Sequence, residues 1–359
     1  MRFLFLSGTI ADRSAIGRDV VGMYDLLAPR AECFLHGDSV DAGGRRTVSR
    51  AETKALLADP ETTAIYHHSV YWESGEDLFA GARARLVFKY HNITPPDQFA
   101  GFEAYWNGCL QGREQTYRLV HRYRNALWLS DSLFNLEELG ISLLPRRAVV
   151  PPFLSPETRP NSELLEQLIE EPAIHLLTVG RIVPNKGHHF LVRVVEAMKR
   201  LFGRPVTASI VGALDPICQG YYDSVIEEAR RPGVEAHIRF AGLLSEEELL
   251  SYYLGADVYV CSSSHEGFCV PLVEAQRARL PVVARNSGAV RETLGPGQIL
   301  LGDDPEEHAR AIERLCGDES FRNQVVERGA ANYQARFTRE RIAEAFLRAL
   351  DIAPAAPIP

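Results

Sequence analysis

The sequence predicts an α/β protein built as two parallel-sheet domains. Three observations carry this. Short apolar, β-branched runs alternate with longer amphipathic stretches from end to end. The short runs are continuously apolar, as strands covered on both faces must be. A chain of 359 residues also exceeds what one ordinary core holds.

In chain order, the first series of strands is expected at 2–7 (RFLFLS), 32–35, 63–66, 85–90 (RLVFKY), 126–130 and 147–150. A second series follows at 174–179 (IHLLTV), 206–211 (VTASIV), 237–241, 257–261 (DVYVC), 281–285 (PVVAR) and 298–301. Amphipathic helices are expected between them at 17–28, 187–202, 219–231, 245–255 and 304–316, with a last helix over 338–351. Periodicity lapses in the Pro- and Ser-rich stretch VVPPFLSPETRPNSE (149–163). The expected division is therefore a first domain at 1–152, a linker at 153–170, a second domain at 171–335, and a C-terminal helix at 336–352 that returns to the first domain.

Composition narrows the function. The net charge of −8 argues against broad nucleic-acid or anionic-membrane binding, so no nucleic-acid partner is expected. Six scattered cysteines show neither disulfide-framework nor zinc spacing, which fits free thiols in a reducing cytoplasm and no metal site. No apolar run reaches the length of a membrane span, and the charged Asp12-Arg13 comes too early for a secretory signal. One local exception is the basic stretch GREQTYRLVHRYR (112–124), where Arg118 and Arg122 lie four apart and Arg113 is displaced from their face. It suggests a weak membrane-surface or acceptor contact.

Open parallel sheets bind ligands at the carboxyl ends of their strands, which turns the strand map into a filter for functional residues. Gly8 and Gly17 follow the first strand, His91 follows 85–90, Gly180 and Arg181 follow 174–179, and Gly212 follows 206–211. In LLTVGRIVPNKG (176–187), Arg181 and Lys186 sit five apart before a helix start, placed to meet one diphosphate. In HEGFCVPLVEA (265–275), Glu266 precedes a glycine turn and Glu274 lies within the first turns of a helix expected at 270–279. Two carboxylates can accept hydrogen bonds from ligand hydroxyls while the amides of 267–270 face a phosphate. A nucleotide sugar, two hydroxylated rings joined by a diphosphate, satisfies all of these groups at once. Trp72, Tyr105 and Trp106 are candidates for stacking on acceptor sugars or for core packing.

HEGFCVPLVEA resembles the E-x7-E signature of retaining glycosyltransferases of family 4, and VGRIVPNKG is similar to their diphosphate loop. VVPPF, LWLSDSLFNLEELG (127–140), IVGA (210–213), FAGLLSEEELLSYYLGADVYVCSS (240–263) and PVVARNSGAVRETLG (281–295) extend the likeness, which is strongest over 127–300. The resemblance implies the GT-B fold: two facing Rossmann-like domains with an interdomain cleft, the second domain holding the donor. It implies catalytic roles for His91, Arg181, Lys186 and Glu266. Gly17, Gly180, Gly212, Gly267, Phe268, Cys269, Val270 and Glu274 would bind the donor, with Glu274 on ribose and Glu266 on the donor sugar. The implied reaction retains anomeric configuration, needs no metal or other cofactor, and uses a UDP- or GDP-sugar with a glycan, lipid-linked or small-molecule hydroxyl acceptor, in surface-polysaccharide or glycoconjugate assembly.

Three departures stand against the family pattern. Beyond Gly8, the first loop, TIADRSAIGRD, offers one glycine, Gly17, where many members have two. Cys269 stands where glycine is commoner, and EAQRARLPVVA replaces a glycine-containing turn. Two other readings are kept: a nucleotide-sugar 2-epimerase of the same architecture, and a non-catalytic sugar-nucleotide or glycan-binding protein. A dehydrogenase is disfavoured, since no G-x-G-x-x-G follows a strand. The expected place of work is the cytoplasm, peripheral to the inner face of the membrane.

Overall fold

Strand β1 (Arg2–Leu6) shows why its whole length is apolar. Phe3 and Phe5 pack into one core cluster and Leu4 and Leu6 into another on the opposite face of the sheet. The fold comes from a computed structural model that describes residues 1–11, 14–41, 43–231 and 237–353. Asp12 and Arg13 of the first loop, and residues 354–359 of the Ala/Pro tail, lie outside the described residues.

The chain forms two units. One comprises Met1–Asp97, Tyr105–Ser155 and the chain from Phe337 onward; the other comprises Gln98–Ala104 and Pro156–Arg336. The first unit holds β1, β2 (Thr9–Ala11), β3 (Glu32–His36), β4 (Ser39–Asp41), β5 (Thr62–His68), β6 (Arg85–Tyr90), β7 (Leu127–Ser130) and β8 (Arg147–Val149). Its main sheet is parallel in the order β3-β1-β5-β6-β7-β8, and β2 pairs with β4 in a small sheet absent from the sequence expectation. Those two strands are three residues each and carry no apolar run long enough to announce them.

The second unit holds β9 (Ile174–Val179), β10 (Val206–Val211), β11 (Ile238–Gly242), β12 (Val258–Cys261), β13 (Val282–Arg285) and β14 (Ile299–Leu301). They form a parallel sheet in the order β11-β10-β9-β12-β13-β14. All twelve strands expected from the apolar runs are present, with ends shifted by a residue or two. In each sheet the order reverses once, between β1 and β5 and between β9 and β12, and the crevice outside such a reversal is where ligands bind.

Helix starts follow local chemistry. Ser245 and Glu248 cap helix Glu246–Gly255 reciprocally, as Ser49 and Glu52 cap helix Arg50–Ala58. Asp304 followed by Pro305 opens helix Pro305–Gly317, and Thr338 opens helix Arg339–Ala349. Asn161 caps a helix at Ser162–Glu170, inside the stretch expected to be a linker. Its apolar side chains pack beside helix Glu246–Gly255, where Gly255 leaves room for Leu168. Helices Glu73–Phe79 and Glu319–Arg336 also escaped the periodicity reading, and the helix of the basic stretch begins earlier, as Glu103–Arg122. The final helix buries Ile342, Phe346 and Leu347 in the cluster that holds Phe3 and Phe5, so the chain's end completes the core of its beginning.

Both cores enclose neutral histidines. Burial pushes His68 down to about 3 and His188 down to about 3, and it holds His67 well below the usual histidine range. A depressed folded value means the unfolded chain takes up protons first. Stability present above the ordinary value of 6.5 is therefore lost as pH falls below it. We expect the thermal midpoint to drop steadily from pH 7 to pH 5. Each such histidine should remove up to about 2 kcal/mol over that interval. A midpoint flat over this range in differential scanning calorimetry would contradict the neutral assignment.

Candidate nucleotide-sugar site

In the second unit the exits of β9 and β12 are locked together. Gly187 follows the β9 exit loop with φ 66°, and a Cβ there would sit 2.2 Å from the Ser262 carbonyl oxygen. Only glycine permits so close an approach. Ser262 Oγ donates to the Lys186 carbonyl (2.8 Å), and the Ser264 N–H donates to the Asn185 carbonyl (2.9 Å). These backbone contacts bring Lys186 Nζ to 2.7 Å from Glu266 Oε1, which also accepts from Ser263 Oγ at 2.7 Å. Burial opposes charge on the Lys186 ammonium, but the Glu266 carboxylate outweighs it and holds the lysine above its ordinary range. The β13 exit joins in: the Ala289 N–H donates to the Glu266 carbonyl (2.8 Å) and Ser287 Oγ to the Ser263 carbonyl (2.7 Å).

The other expected residues fall around this pair. Gly180 and Gly212 lie in contact at the exits of β9 and β10. Arg181 is exposed and reaches Asp215 at 3.5 Å, apart from Lys186's pairing with Glu266. Gly267, Phe268 and Cys269 lead into helix Val270–Arg277, whose first turn contains Pro271. Cys269 adopts φ 73°, the left-handed region, which explains why glycine suits this position and implies strain of about 1–2 kcal/mol. Glu274 is buried rather than exposed, and the Tyr253 hydroxyl donates to its Oε2 at 2.9 Å. It borders a cavity of about 370 Å³ lined also by Pro156, Glu246, Leu250, Tyr253 and Arg277.

In the first unit, Gly17 sits in the opening turn of helix Ala15–Leu27, its N–H bonded to Ser14 Oγ (2.9 Å). A Cβ there would lie 1.9 Å from the Ala11 carbonyl, so the β2 exit and the helix touch only because the residue is glycine. His91, after β6, has its ring buried within a polar network. His91 Nδ1 is 2.9 Å from Asp131 Oδ2, and its Nε2 is 2.9 Å from His67 Nδ1, the rings stacked. Lys89 Nζ lies 2.6 Å from Asp19 Oδ2 and 3.4 Å from Asp131 Oδ1. The Phe153 N–H donates to Asp19 Oδ1 at 2.9 Å. Burial raises Asp131, but the neighbouring His91 and Lys89 outweigh it and leave the carboxyl below its usual range. Both nitrogens of the expected catalytic histidine are thus engaged inside its own unit.

Asp19, His67, Lys89 and Asp131 were missed by the sequence reading because they come from separate elements. Their signal was a charge within an apolar run: lysine in RLVFKY, aspartate in IGRDVVGM. Asp19, His67 and His91 are also the group among the described residues whose donor atoms could surround a metal ion. Lys89 already provides a positive charge at Asp19. Of the candidate stacking residues, Trp72 is core, its indole N–H donating to Asp38 Oδ2 (2.8 Å), whereas Trp106 is exposed. In helix Glu103–Arg122, Arg118 is paired with Glu76, and Arg113 bonds the Ile93 carbonyl and Glu138.

Residues 163–332 match the family described as glycosyl transferases group 1. The second unit is a group 1 glycosyl transferase domain. Over 182 residues the chain is 32% identical to a lipopolysaccharide core biosynthesis glycosyltransferase LpsE of Rhizobium meliloti (strain 1021), covering 50% of each chain. A D-inositol 3-phosphate glycosyltransferase of Frankia alni is 27% identical over 337 residues, 86% of this chain and 82% of that protein. The chain spans about half the length of most of the curated relatives it matches. Among solved structures, Anabaena Alr3699/HepE in complex with UDP and glucose superposes with a TM-score of 0.76 at 19% identity, covering 97% of this chain and 99% of that one. Sucrose-phosphate synthase from Thermosynechococcus elongatus gives 0.71 at 18% identity, covering 98% of each. The fold of the chain is GT-B. Among the described residues no helix is long and apolar enough to cross a membrane.

The buried Lys89 yields a direct test of the network's energetics. Lys89→Met leaves the Asp19 and Asp131 carboxylates without their ammonium, and losing one partner of a buried ion pair costs about 3–5 kcal/mol. Urea unfolding should show that loss at pH 7. A change below 1 kcal/mol would mean the carboxylates are not charged in the folded protein.

Proposed function

We propose that this chain transfers a sugar, with retention of anomeric configuration, from a nucleoside-diphosphate sugar to a hydroxyl of a glycan or lipid-linked acceptor. The observation that carries the reading is the Lys186–Glu266 pair at the β9–β12 reversal, within the matched family region. Two neighbouring strand exits hold a cation for phosphate and a carboxylate for sugar hydroxyls within one hydrogen bond of each other. The solved structures of Anabaena Alr3699/HepE in complex with UDP and with UDP-glucose support UDP-sugars as the first donors to try. The LpsE relative supports surface-polysaccharide or glycoconjugate assembly. The matched curated relatives are described as glycosyltransferases, which favours transfer over 2-epimerisation.

In this reading Arg181 and Lys186 neutralise the diphosphate leaving group, work that a divalent metal otherwise does. The amides of Gly267, Phe268, Cys269 and Val270, at the start of helix Val270–Arg277, face the phosphates, and Gly180 and Gly212 let backbone approach the donor. Glu274, oriented by Tyr253, takes the ribose hydroxyls. Glu266 binds donor-sugar hydroxyls. Its Oε1 is already held by Lys186 and Ser263, which suits an orienting carboxylate better than a nucleophile. The bond from the anomeric carbon to the diphosphate oxygen breaks as the acceptor oxygen bonds on the same face, and the acceptor proton passes to the departing phosphate oxygen. His91 keeps its proposed catalytic role at the first unit's β6 exit, its ring fixed by Asp131 and His67. The exposed Trp106, Leu110 and Tyr117 on helix Glu103–Arg122 support acceptor contact, including peripheral contact at the inner face of the membrane.

Assay of UDP-, GDP- and dTDP-sugars for donor hydrolysis is the first experiment, since it needs no acceptor. Arg181→Ala and Lys186→Ala should each lower kcat/KM by about 2–4 kcal/mol of transition-state stabilisation, with little change in thermal stability for the exposed Arg181 and a loss for Lys186, whose removal leaves Glu266 unpaired. Near-normal turnover in both would remove the diphosphate assignment. Turnover should also survive EDTA. Its abolition by chelation, with rescue by Mg²⁺ or Mn²⁺, would show that the two cations do not replace a metal.

A further inference from the structure

Cys261 ends β12 and Cys269 caps helix Val270–Arg277, so the two cysteines bracket the loop that carries Ser263 and Glu266. Their sulfurs lie 3.9 Å apart, and both residues are buried free thiols. Lys186, paired with Glu266 of that loop, is close enough to feel both sulfurs electrostatically. A disulfide requires a sulfur separation of about 2 Å, so closing the gap would draw the sulfurs together by about another 2 Å. Cys269 starts that movement from a left-handed backbone conformation, where a non-glycine residue has little freedom to yield. The displacement must then pass into the loop and into the start of the Glu274 helix.

We propose that Cys261 and Cys269 are an oxidisable dithiol whose disulfide form staples the Glu266 loop and weakens binding of a nucleoside diphosphate. The oxidant is a small disulfide such as oxidised glutathione. One cysteine thiolate attacks it, forming a mixed disulfide and expelling one glutathione thiolate. The second cysteine then displaces the other glutathione, so two electrons and two protons pass from the protein to the oxidant. The hydrogen bond with Cys261 and burial push the Cys269 thiol well up, so closure is slow at neutral pH and faster in alkali. The consequence for nucleotide affinity rests on the donor site proposed above; disulfide formation itself does not.

Trypsin releases Phe240–Arg277 as one peptide containing both cysteines and no other. The full chain would be incubated with oxidised glutathione at pH 7 and pH 9, unfolded, alkylated and digested. That peptide should emerge two hydrogens lighter and unalkylated, sooner at pH 9, and revert with dithiothreitol. UDP and GDP titrated by calorimetry should bind the oxidised protein about tenfold more weakly than the reduced protein. Cys261→Ala should keep the reduced-state affinity under both conditions. Cys261→Ser, close in size to the thiol it replaces, serves as a second thiol-deficient variant should the first fail to fold. A peptide still fully alkylated after oxidation at pH 9 overturns the dithiol. A disulfide that forms without changing nucleotide affinity overturns its link to the site. If the reduced protein binds neither nucleotide, the donor reading fails and the predicted affinity change falls with it, while the peptide still decides the dithiol.

Discussion

The ion pair between Lys186 and Glu266 is the contact on which the second unit's rim depends. Each residue follows a different strand, and β9 and β12 become neighbours only because the sheet order reverses between them. The pair is short because the main chains beneath it already touch: Gly187 admits the Ser262 carbonyl, and Ser262 and Ser264 bond back to the β9 exit. A partly buried ammonium and carboxylate held this way lose less to desolvation than an isolated charge would. They also carry, in one place, the two kinds of group that a sugar attached to a phosphate requires.

The first unit solves a similar electrostatic problem more deeply. Two carboxylates, Asp19 and Asp131, share one ammonium, Lys89, with His91 and His67 completing the chain of contacts. The network ties the first helix to the exits of β5, β6 and β7 and, through the Phe153 N–H, to the segment leaving the first unit. Charges so buried are retained only where they are mutually paired. Their effect is to fix the side chains beside the first sheet's own reversal point, His91 among them.

Much of the fold was legible in the sequence. Continuous apolar runs mark parallel strands because both faces of such a strand meet a core, as Phe3/Phe5 and Leu4/Leu6 do. Helix starts have an equally local cause, since the side-chain oxygens of Ser245 and Asp304 bond the first free amides. The elements that escaped had weak local signals: the three-residue strands β2 and β4, and helix Ser162–Glu170, whose apolar face is defined by a helix some eighty residues away.

The candidate site divides along the same line. Sequence alone determined Arg181, Lys186, Glu266, Glu274 and the glycines between them as candidates, because residue type and position after a strand are local properties. Only the tertiary structure decided which of them meet. It joined Lys186 to Glu266, sent Arg181 toward Asp215, placed Glu274 under Tyr253, and turned His91 into a network with Asp131 and His67. The left-handed turn at Cys269 and its approach to Cys261 belong to the same category. Pairing between charges and between sulfurs depends on distance in space, and sheet order, not sequence separation, sets that distance.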